Sequence, residues 1–338
     1  TAFLGLRGLL ILAQRDADQP TALSLARRAY ELRPKTPWVL TTLFDLQIKE
    51  GHWRDALATL EEAIRRHALG GEEGRFRKVA VLLGCSGEAE QAGETVEALA
   101  YARKAHQQAP EMLPATIRLV TLMIAAGRKR PATRIIHNAW THRPHPDLAR
   151  IYGAMEESDA LKQVNRFERL LTFNADHAES HIALAEAALE AKLWGTARSH
   201  LTTAAGSAPP ARICRLMAEL EEQEHGDNAA VRKWLLRAAS AETDAAWTCS
   251  GCGNVADRWA PLCAKCQSLG TLEWRAPART RGLVFRTPGD GPDGTPGEEP
   301  PSPENAPATA VNAARTGTAV APSKDLDPPV IDGPLHRE

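Results

Sequence analysis

Aromatic residues are scarce in this sequence: they make up 5% of its 338 residues, against 43% for apolar residues of all kinds. This composition, rich in alanine, favours tightly packed helices over a sheet-rich fold. No apolar run reaches 18 residues, so the sequence itself holds no candidate membrane-spanning helix. The formal net charge is only −1, which gives no indication of a nucleic-acid partner. Together these absences favour an all-α protein.

Cysteine is also rare outside one short region. Of the six cysteines, four lie between positions 249 and 266, while Cys85 and Cys214 stand alone. The two isolated residues are typical of small apolar packing residues. The clustered four do not form the disulfide framework of a small secreted protein, so they indicate a metal site in a reducing compartment.

A pattern of small residues recurs along the first two thirds of the chain. Ala56, Leu60 and Ala63 fall on one stripe of a helix that follows a break at 50–52. The same positions 34 residues earlier hold Ala22, Ala26 and Ala29. An offset of 34 residues is the tetratricopeptide period, in which each repeat is a pair of helices. The sequence therefore predicts an all-α solenoid of about seven helical hairpins over residues 1–244.

Two of the seven units depart from the pattern. The third contains about eight extra residues near Gly84–Gly93, and we expect them to lengthen a loop, since insertions in solenoids map to loops. The fifth is degenerate, with Val164, Glu168 and Leu171 on the expected stripe. Such an array presents one concave groove, where we expect a protein partner to bind.

Two Cys-x-x-Cys pairs carry the clearest chemistry in the sequence. Cys249 and Cys252 form the first pair, and Cys263 and Cys266 form the second. Each pair can hold a metal ion from one side, and four thiolates leave no open coordination position, so the site is expected to be structural. Zinc is the default metal. Iron is the alternative, because the arrangement resembles a rubredoxin knuckle pair in which Gln267 replaces the second glycine.

The cysteines belong to a predicted zinc ribbon over residues 245–276. Three tryptophans surround them: Trp247, Trp259 and Trp274. With so little apolar core, the module needs the indoles and the metal to hold it together. Its few basic residues argue against an RNA-binding ribbon, and we expect it to dock on the last helical hairpin.

No motif for catalysis is found. The sequence has neither a phosphate-binding glycine loop nor a Gly-x-Ser-x-Gly nucleophile elbow, so we predict that the protein is not an enzyme. His177 and His181 have a spacing that can bind metal or haem iron, but a solvated helix face is the expected environment. His142 and His145 lie in a proline-rich turn and are expected at the surface.

The two ends of the sequence are expected to differ from its folded part. Residues 277–338 are dense in proline, glycine, alanine and threonine and lack apolar periodicity, so they predict a disordered tail. Thr1 lies inside an apolar helical pattern. We expect a preceding segment, with a targeting or membrane role, that this sequence does not include.

Over about residues 1–277, the sequence resembles the HemY family of proteobacteria. The resemblance is carried by the stretches 37–40 (PWVL), 51–57 (GHWRDAL) and 272–275 (LEWR), together with the Cys-x-x-Cys pairs. These proteins are membrane-anchored tetratricopeptide proteins linked to protohaem biosynthesis. The resemblance implies an N-terminal membrane hairpin, repeats on the cytoplasmic side of the inner membrane, and a scaffold or regulator of haem-pathway enzymes. It supplies no catalytic residues.

Three alternatives remain open. The LapB-like family has the same order of anchor, repeats and rubredoxin-like module, and it regulates lipopolysaccharide synthesis by delivering an enzyme to a membrane protease. In that family the metal module packs on the repeats. An iron-containing electron-transfer protein would use the four cysteines. A haem-binding carrier would need an axial ligand such as His177 or His181.

Overall fold

Paired helices make up most of the computed structural model, which describes residues 2–155 and 159–278. Fourteen helices occur in this part of the chain, and they confirm the predicted series of seven hairpins. In chain order the helices are α1 (Ala2–Arg15), α2 (Gln19–Leu32), α3 (Pro37–Lys49), α4 (Trp53–Arg65), α5 (Gly71–Gln91), α6 (Thr95–Gln108), α7 (Leu113–Ala125), α8 (Lys129–His142), α9 (Pro146–Ala154), α10 (Ala160–Leu171), α11 (Ala178–Glu190), α12 (Trp194–Ala205), α13 (Ala211–His225) and α14 (Asn228–Ser240).

The small residues of the repeat face the core, as their spacing predicts. Ala56, Leu60 and Ala63 of α4 are completely buried. Between α3 and α4 the chain turns at Gly51, whose positive φ of 77° is a conformation that glycine adopts without steric cost. None of the helices in the described part combines the length and apolar character needed to cross a membrane. The predicted disordered tail lies outside the described residues from 279 onward.

The predicted loop at Gly84–Gly93 is wrong, because the extra residues extend a helix. Helix α5 has 21 residues and α3 has 13, so α5 is eight residues longer. The added turns are held by tertiary contacts that outweigh the low helix propensity of glycine. Cys85, Ser86 and Ala89 are all fully buried, and the Ser86 hydroxyl donates a hydrogen bond to the carbonyl oxygen of Ala98 at 2.8 Å.

The fifth hairpin also differs in detail from the prediction. Val164 and Leu170 of α10 are buried and Phe167 is half-buried, whereas Glu168 is exposed. The inward stripe therefore advances by three residues from Val164 to Phe167, where the sequence suggested a step of four. Close approach of α9 permits this, since a Cβ at Gly153 would lie 3.3 Å from the ring of Phe167.

First helices of neighbouring hairpins line one surface of the array. Helix α5 contacts α7, α7 contacts α9, and α11 contacts both α9 and α13. Contacts between alternate helices form on the narrower side of a curved array, so we call this side the inner surface. It is the surface on which the predicted partner groove was expected.

The close packing of α4 on α5 leaves no room for a side chain at Gly84. A Cβ at this position would lie 2.2 Å from the indole ring of Trp53, and overpacking of this kind costs about 1–3 kcal/mol. We expect Gly84→Ala to lower the free energy of unfolding by about 2 kcal/mol, measured by urea titration with circular dichroism.

Gly87 supplies the matched control for that substitution. It lies in the same helix, but a Cβ there would meet no atom within 4 Å. Gly87→Ala should therefore leave stability unchanged or raise it by about 0.5–1 kcal/mol through helix propensity. Equal urea midpoints for the two variants would show that the close contact between Gly84 and Trp53 does not make a side chain at position 84 destabilising.

Candidate metal centre on the inner surface

A three-stranded antiparallel sheet carries the cysteines. It consists of β1 (Ala246–Cys249), β2 (Val255–Ala256) and β3 (Leu272–Arg275), with β1 in the middle. Trp247 of β1 lies opposite Trp274 of β3. The first pair of cysteines begins at the last residue of β1, and the second pair lies in the long connection between β2 and β3.

Both Cys-x-x-Cys pairs form the same tight turn. The amide of Gly253 donates to the carbonyl of Cys249, and the amide of Gln267 donates to that of Cys263, each at 2.9 Å. Gly253 has φ of 70° and Gln267 has φ of 56°. Gln267 thus adopts the left-handed conformation that glycine would take, at a cost of about 1 kcal/mol. Its departure from the rubredoxin pattern leaves the turn intact.

The four predicted ligands converge, with all their sulfur atoms within 4.8 Å of one another. Sγ of Cys249 lies 3.7 Å from that of Cys266, and Sγ of Cys252 lies 3.6 Å from that of Cys263. A tetrahedral zinc site with Zn–S bonds of about 2.3 Å separates its sulfurs by about 3.8 Å. The cluster therefore has the dimensions of a four-thiolate metal site and could hold such an ion.

Hydrogen bonds prepare part of the cluster for ionisation. Burial opposes ionisation of Cys249, but the Thr271 hydroxyl and the amides of Cys252 and Gly251 outweigh it and lower the pKa of this thiol to about 6. The amide of Asn254 favours the Cys252 thiolate, yet burial and the three neighbouring sulfurs raise its pKa to about 12. The protein alone does not favour four thiolates together, and a divalent cation would supply the positive charge that stabilises them.

The sequence suggested that the ribbon docks on the last hairpin, and this expectation is wrong. The ribbon docks on the middle of the inner surface. The indole Nε1 of Trp247 donates to Oδ2 of Asp147 in α9 at 3.2 Å. Trp259 packs in the apolar cluster that includes Val79 and Leu82 of α5. A Cβ at Gly270 would lie 3.6 Å from that of Ala80. The contacts thus fall on α5 and α9, and Leu113 and Ile117 of α7 pack against the ribbon cluster that contains Trp247.

A connection after α14 directs the chain to this position. It caps the N-terminus of α13, where the amide of Ala211 donates to the carbonyl of Glu242 at 3.2 Å and the amide of Arg212 donates to Oδ1 of Asp244 at 2.6 Å. Arg215 forms an ion pair with the same Asp244 carboxylate. Because α13 begins on the inner surface, these bonds turn the chain inward before β1 starts.

His145 lies at the centre of the contact, although its proline-rich turn suggested a surface position. It is buried, and its ring centroid lies 4.3 Å from that of Trp274 and 5.5 Å from that of Trp247. Its Nδ1 accepts a hydrogen bond from the amide of Asp147 at 3.1 Å and so caps α9. Burial outweighs the nearby Asp147 carboxylate and lowers the pKa of His145 to about 4.

The sequence could have predicted that His145 caps a helix, but not that its ring contacts the ribbon. The order His-Pro-Asp before an apolar run indicates a helix start, with proline at the first helical position. The two tryptophans that contact the ring, Trp247 and Trp274, come more than 100 residues later in the chain. No local signal connects the two segments.

The histidines considered for haem do not form a common site. Nδ1 of His177 accepts from the amide of Glu179 at 3.1 Å and caps α11 on an exposed face, as expected. Nδ1 of His181 lies 2.9 Å from Nδ1 of His200, and its Nε2 lies 2.8 Å from the carbonyl oxygen of Ala175. Cys85 and Cys214 are fully buried, in agreement with a packing role.

A comparison with protein families agrees with the helical architecture. The tetratricopeptide repeat family model matches residues 89–157. The matched stretch runs from the end of α5 to the end of α9, and the other hairpins have the same paired-helix form. Among solved structures, a tetratricopeptide repeat protein from Parabacteroides merdae is 14% identical with a TM-score of 0.35, covering 70% of this chain and 98% of its own. The MamA protein is 11% identical with a TM-score of 0.28, and the match covers 67% of this chain and 95% of the MamA chain. Likenesses this weak carry no argument about function.

One curated relative is more similar in sequence. The probable magnetosome protein Mms48 of Magnetospirillum gryphiswaldense is 33% identical over 238 residues, which cover 68% of this chain and 52% of the relative. The match thus spans about half the length of that protein.

We expect removal of one ligand to release the metal and to loosen the middle of the array. Cys263→Ser should lose bound zinc, measured by elemental analysis, because three thiolates hold a tetrahedral ion far less well than four. Hydrogen exchange should become faster in β1, β3, α5 and α9, whose contacts depend on a folded ribbon, and stay unchanged in α2.

Cys214→Ala is the matched control, since it removes a buried cysteine outside the cluster. It should retain the metal and the slow exchange of α9. A response of Cys263→Ser confined to α13 and α14 would contradict the position of the ribbon.

His145 makes stability depend on pH. Its pKa of about 4 in the folded chain lies below the usual value of about 6.5, so the unfolded chain binds the proton first. The stabilising effect of the neutral ring is lost as pH falls from about 6.5 towards 4, with a limit of roughly 3 kcal/mol. We expect the free energy of unfolding to fall over this range.

His145→Asn isolates that contribution, because an asparagine oxygen can cap α9 but does not titrate. The difference in free energy of unfolding between the natural chain and this variant should shrink as pH falls from 7.5 to 4.5. Urea titrations at both pH values measure it. Parallel pH profiles would mean that the ring does not stay buried and neutral.

Proposed function

We propose that the chain is a non-enzymatic scaffold or regulator for protein partners, linked to protohaem biosynthesis at the cytoplasmic face of the bacterial inner membrane. The observation that carries the scaffold role is a tetratricopeptide array whose inner surface is built up by a four-cysteine ribbon. Tetratricopeptide repeats in general bind proteins. The link to haem rests on the resemblance to the HemY family in the 37–40, 51–57 and 272–275 stretches.

The chemistry of the ribbon supports a structural role. A four-thiolate site leaves no coordination position for a substrate. Its buried Cys249 and Cys263 belong to an apolar cluster against which Leu113 and Ile117 of α7 pack, so a metal there would brace the contact. We propose zinc as the metal, held by Cys249, Cys252, Cys263 and Cys266. Iron is the alternative, and it would give a red protein with sulfur-to-metal charge-transfer bands, whereas the zinc form is colourless.

The outer face of α1 supports a location next to a membrane. Its Leu4, Leu9, Ile11 and Leu12 side chains are each more than half exposed. An exposed apolar face of this kind marks contact with protein or lipid. This face suits the proposed membrane anchor or the bilayer surface beside it.

A LapB-like adaptor is the second candidate. The observation in its favour is that the four-cysteine module packs on the repeats, the arrangement of that family. In this role the chain would bring an enzyme of lipopolysaccharide synthesis to a membrane protease. The two candidates share the fold and the metal centre and differ only in the partner.

Affinity purification of the chain from membranes of its own bacterium, followed by mass spectrometry, tests the proposal. We expect enrichment of ferrochelatase or another late haem enzyme over an unrelated tetratricopeptide bait. Enrichment of a lipopolysaccharide enzyme together with a membrane protease would replace the first candidate by the second. Recovery of neither set would reject both.

A further inference from the structure

The ribbon divides the inner surface into two grooves of similar size. One has a volume of about 460 Å³ and lies between the ribbon and α9, α11 and α13. The other has a volume of about 430 Å³ and lies between the ribbon and α5, α7 and α9. Asp147 and Arg150 line both grooves, so they form the ridge between them.

The two grooves carry opposite charge. Glu186, Glu190 and Asp257 line the first, which we call the acidic groove. Its Arg212 is already bound to Glu179 and Glu186. Arg118, Arg150 and Arg258 line the second, the basic groove, where Asp147 is the one acidic lining residue. The Asp147 carboxylate is itself occupied, since it accepts from Trp247 and Arg150.

Two of the three arginines of the basic groove have donors left to bind an anionic group. Arg118 is fixed by Ser86 at 2.9 Å and by Glu90 at 2.7 Å. Arg150 makes one ion pair, to Asp147 at 2.8 Å, and its side chain is 71% exposed. Arg258 is exposed and makes no hydrogen bond or ion pair with the part of the chain that the structure describes.

The floor of the basic groove is apolar. Ile117 and Ile151 are half-buried there beside Trp259 of the ribbon. Gly87 leaves open space at the wall, because a Cβ at this position would meet no atom within 4 Å. A groove of this volume accepts a few side chains, and an apolar floor with guanidinium groups at the rim suits a peptide that carries both apolar and acidic residues.

We propose that the basic groove binds a short acidic peptide segment of a protein partner, with an apolar side chain on the floor and carboxylates at Arg150 and Arg258. The proposal rests on the proposed scaffold function and names the chemistry of the partner. Part of the wall comes from the ribbon, through Arg258, Trp259 and Pro261. Binding therefore requires the folded ribbon as well as the repeats.

Two fluorescein-labelled peptides test the charge preference. Both have a central Leu-Phe; one is flanked by three aspartates on each side and the other by three lysines. Fluorescence anisotropy with the metal-loaded full chain should show at least about tenfold tighter binding of the acidic peptide, and high salt should weaken it. Equal affinity for the two peptides would overturn the proposal. Failure of the acidic peptide to bind at a millimolar concentration of the protein would also overturn it.

Paired variants locate the site. Arg258→Glu reverses one rim charge and Gly87→Leu fills the groove, and each should weaken binding of the acidic peptide by about tenfold or more. The controls are Glu190→Arg in the acidic groove and Gly195→Leu in α12, where an added Cβ also meets open space. Both controls should bind as the natural chain does. Loss of binding in the controls alone would assign the peptide to another surface.

The outcome is separable from that of the membrane purification. Peptide binding without recovery of a haem enzyme would support the proposed peptide site and reject the proposed link to haem biosynthesis. Recovery of a haem enzyme that is unchanged by Gly87→Leu would keep the proposed function and reject the groove as its contact. Binding of a single-stranded oligonucleotide in preference to the acidic peptide would reject a peptide partner.

Discussion

The burial of His145 between two ribbon tryptophans is the interaction on which the inner surface depends. The same residue caps α9 through Nδ1 and contacts Trp247 and Trp274 through its ring. Asp147, two residues further on, accepts from Trp247. The start of α9 thus both caps its own helix and holds the ribbon against the repeat array. A buried neutral histidine serves here because it offers an acceptor to the helix and an aromatic face to the indoles.

The repeat architecture could be predicted because its signal is local. Ala56, Leu60 and Ala63 recur at a fixed period, and the burial of each depends only on neighbouring helices. The extra residues near Gly84 could not be assigned by the same means. Whether glycine and serine form a loop or a helix depends on Trp53 and Ala98, which provide the packing surface and the hydrogen-bond acceptor. Tertiary contacts near Gly84 stabilise a helix although glycine and serine have low helix propensity.

The convergence of the four cysteines was predictable from spacing, since each pair closes on itself within four residues. The position of the ribbon was not. It depends on the bonds of Asp244 to the start of α13 and on contacts between residues about 100 positions apart. Charged and aromatic residues of the ribbon, such as Arg258 and Trp259, look ordinary in sequence and acquire a role only beside α5 and α7.

The position of the ribbon links metal binding to the proposed partner site. A module of about 30 residues with little apolar core folds only when its metal is bound. Since the ribbon supplies one wall of each groove, the proposed metal would be needed to complete either groove. By thermodynamic linkage, a peptide that binds only the complete groove strengthens metal binding by the same factor that the metal strengthens peptide binding. A four-thiolate site without catalytic chemistry would thereby control what the inner surface can bind.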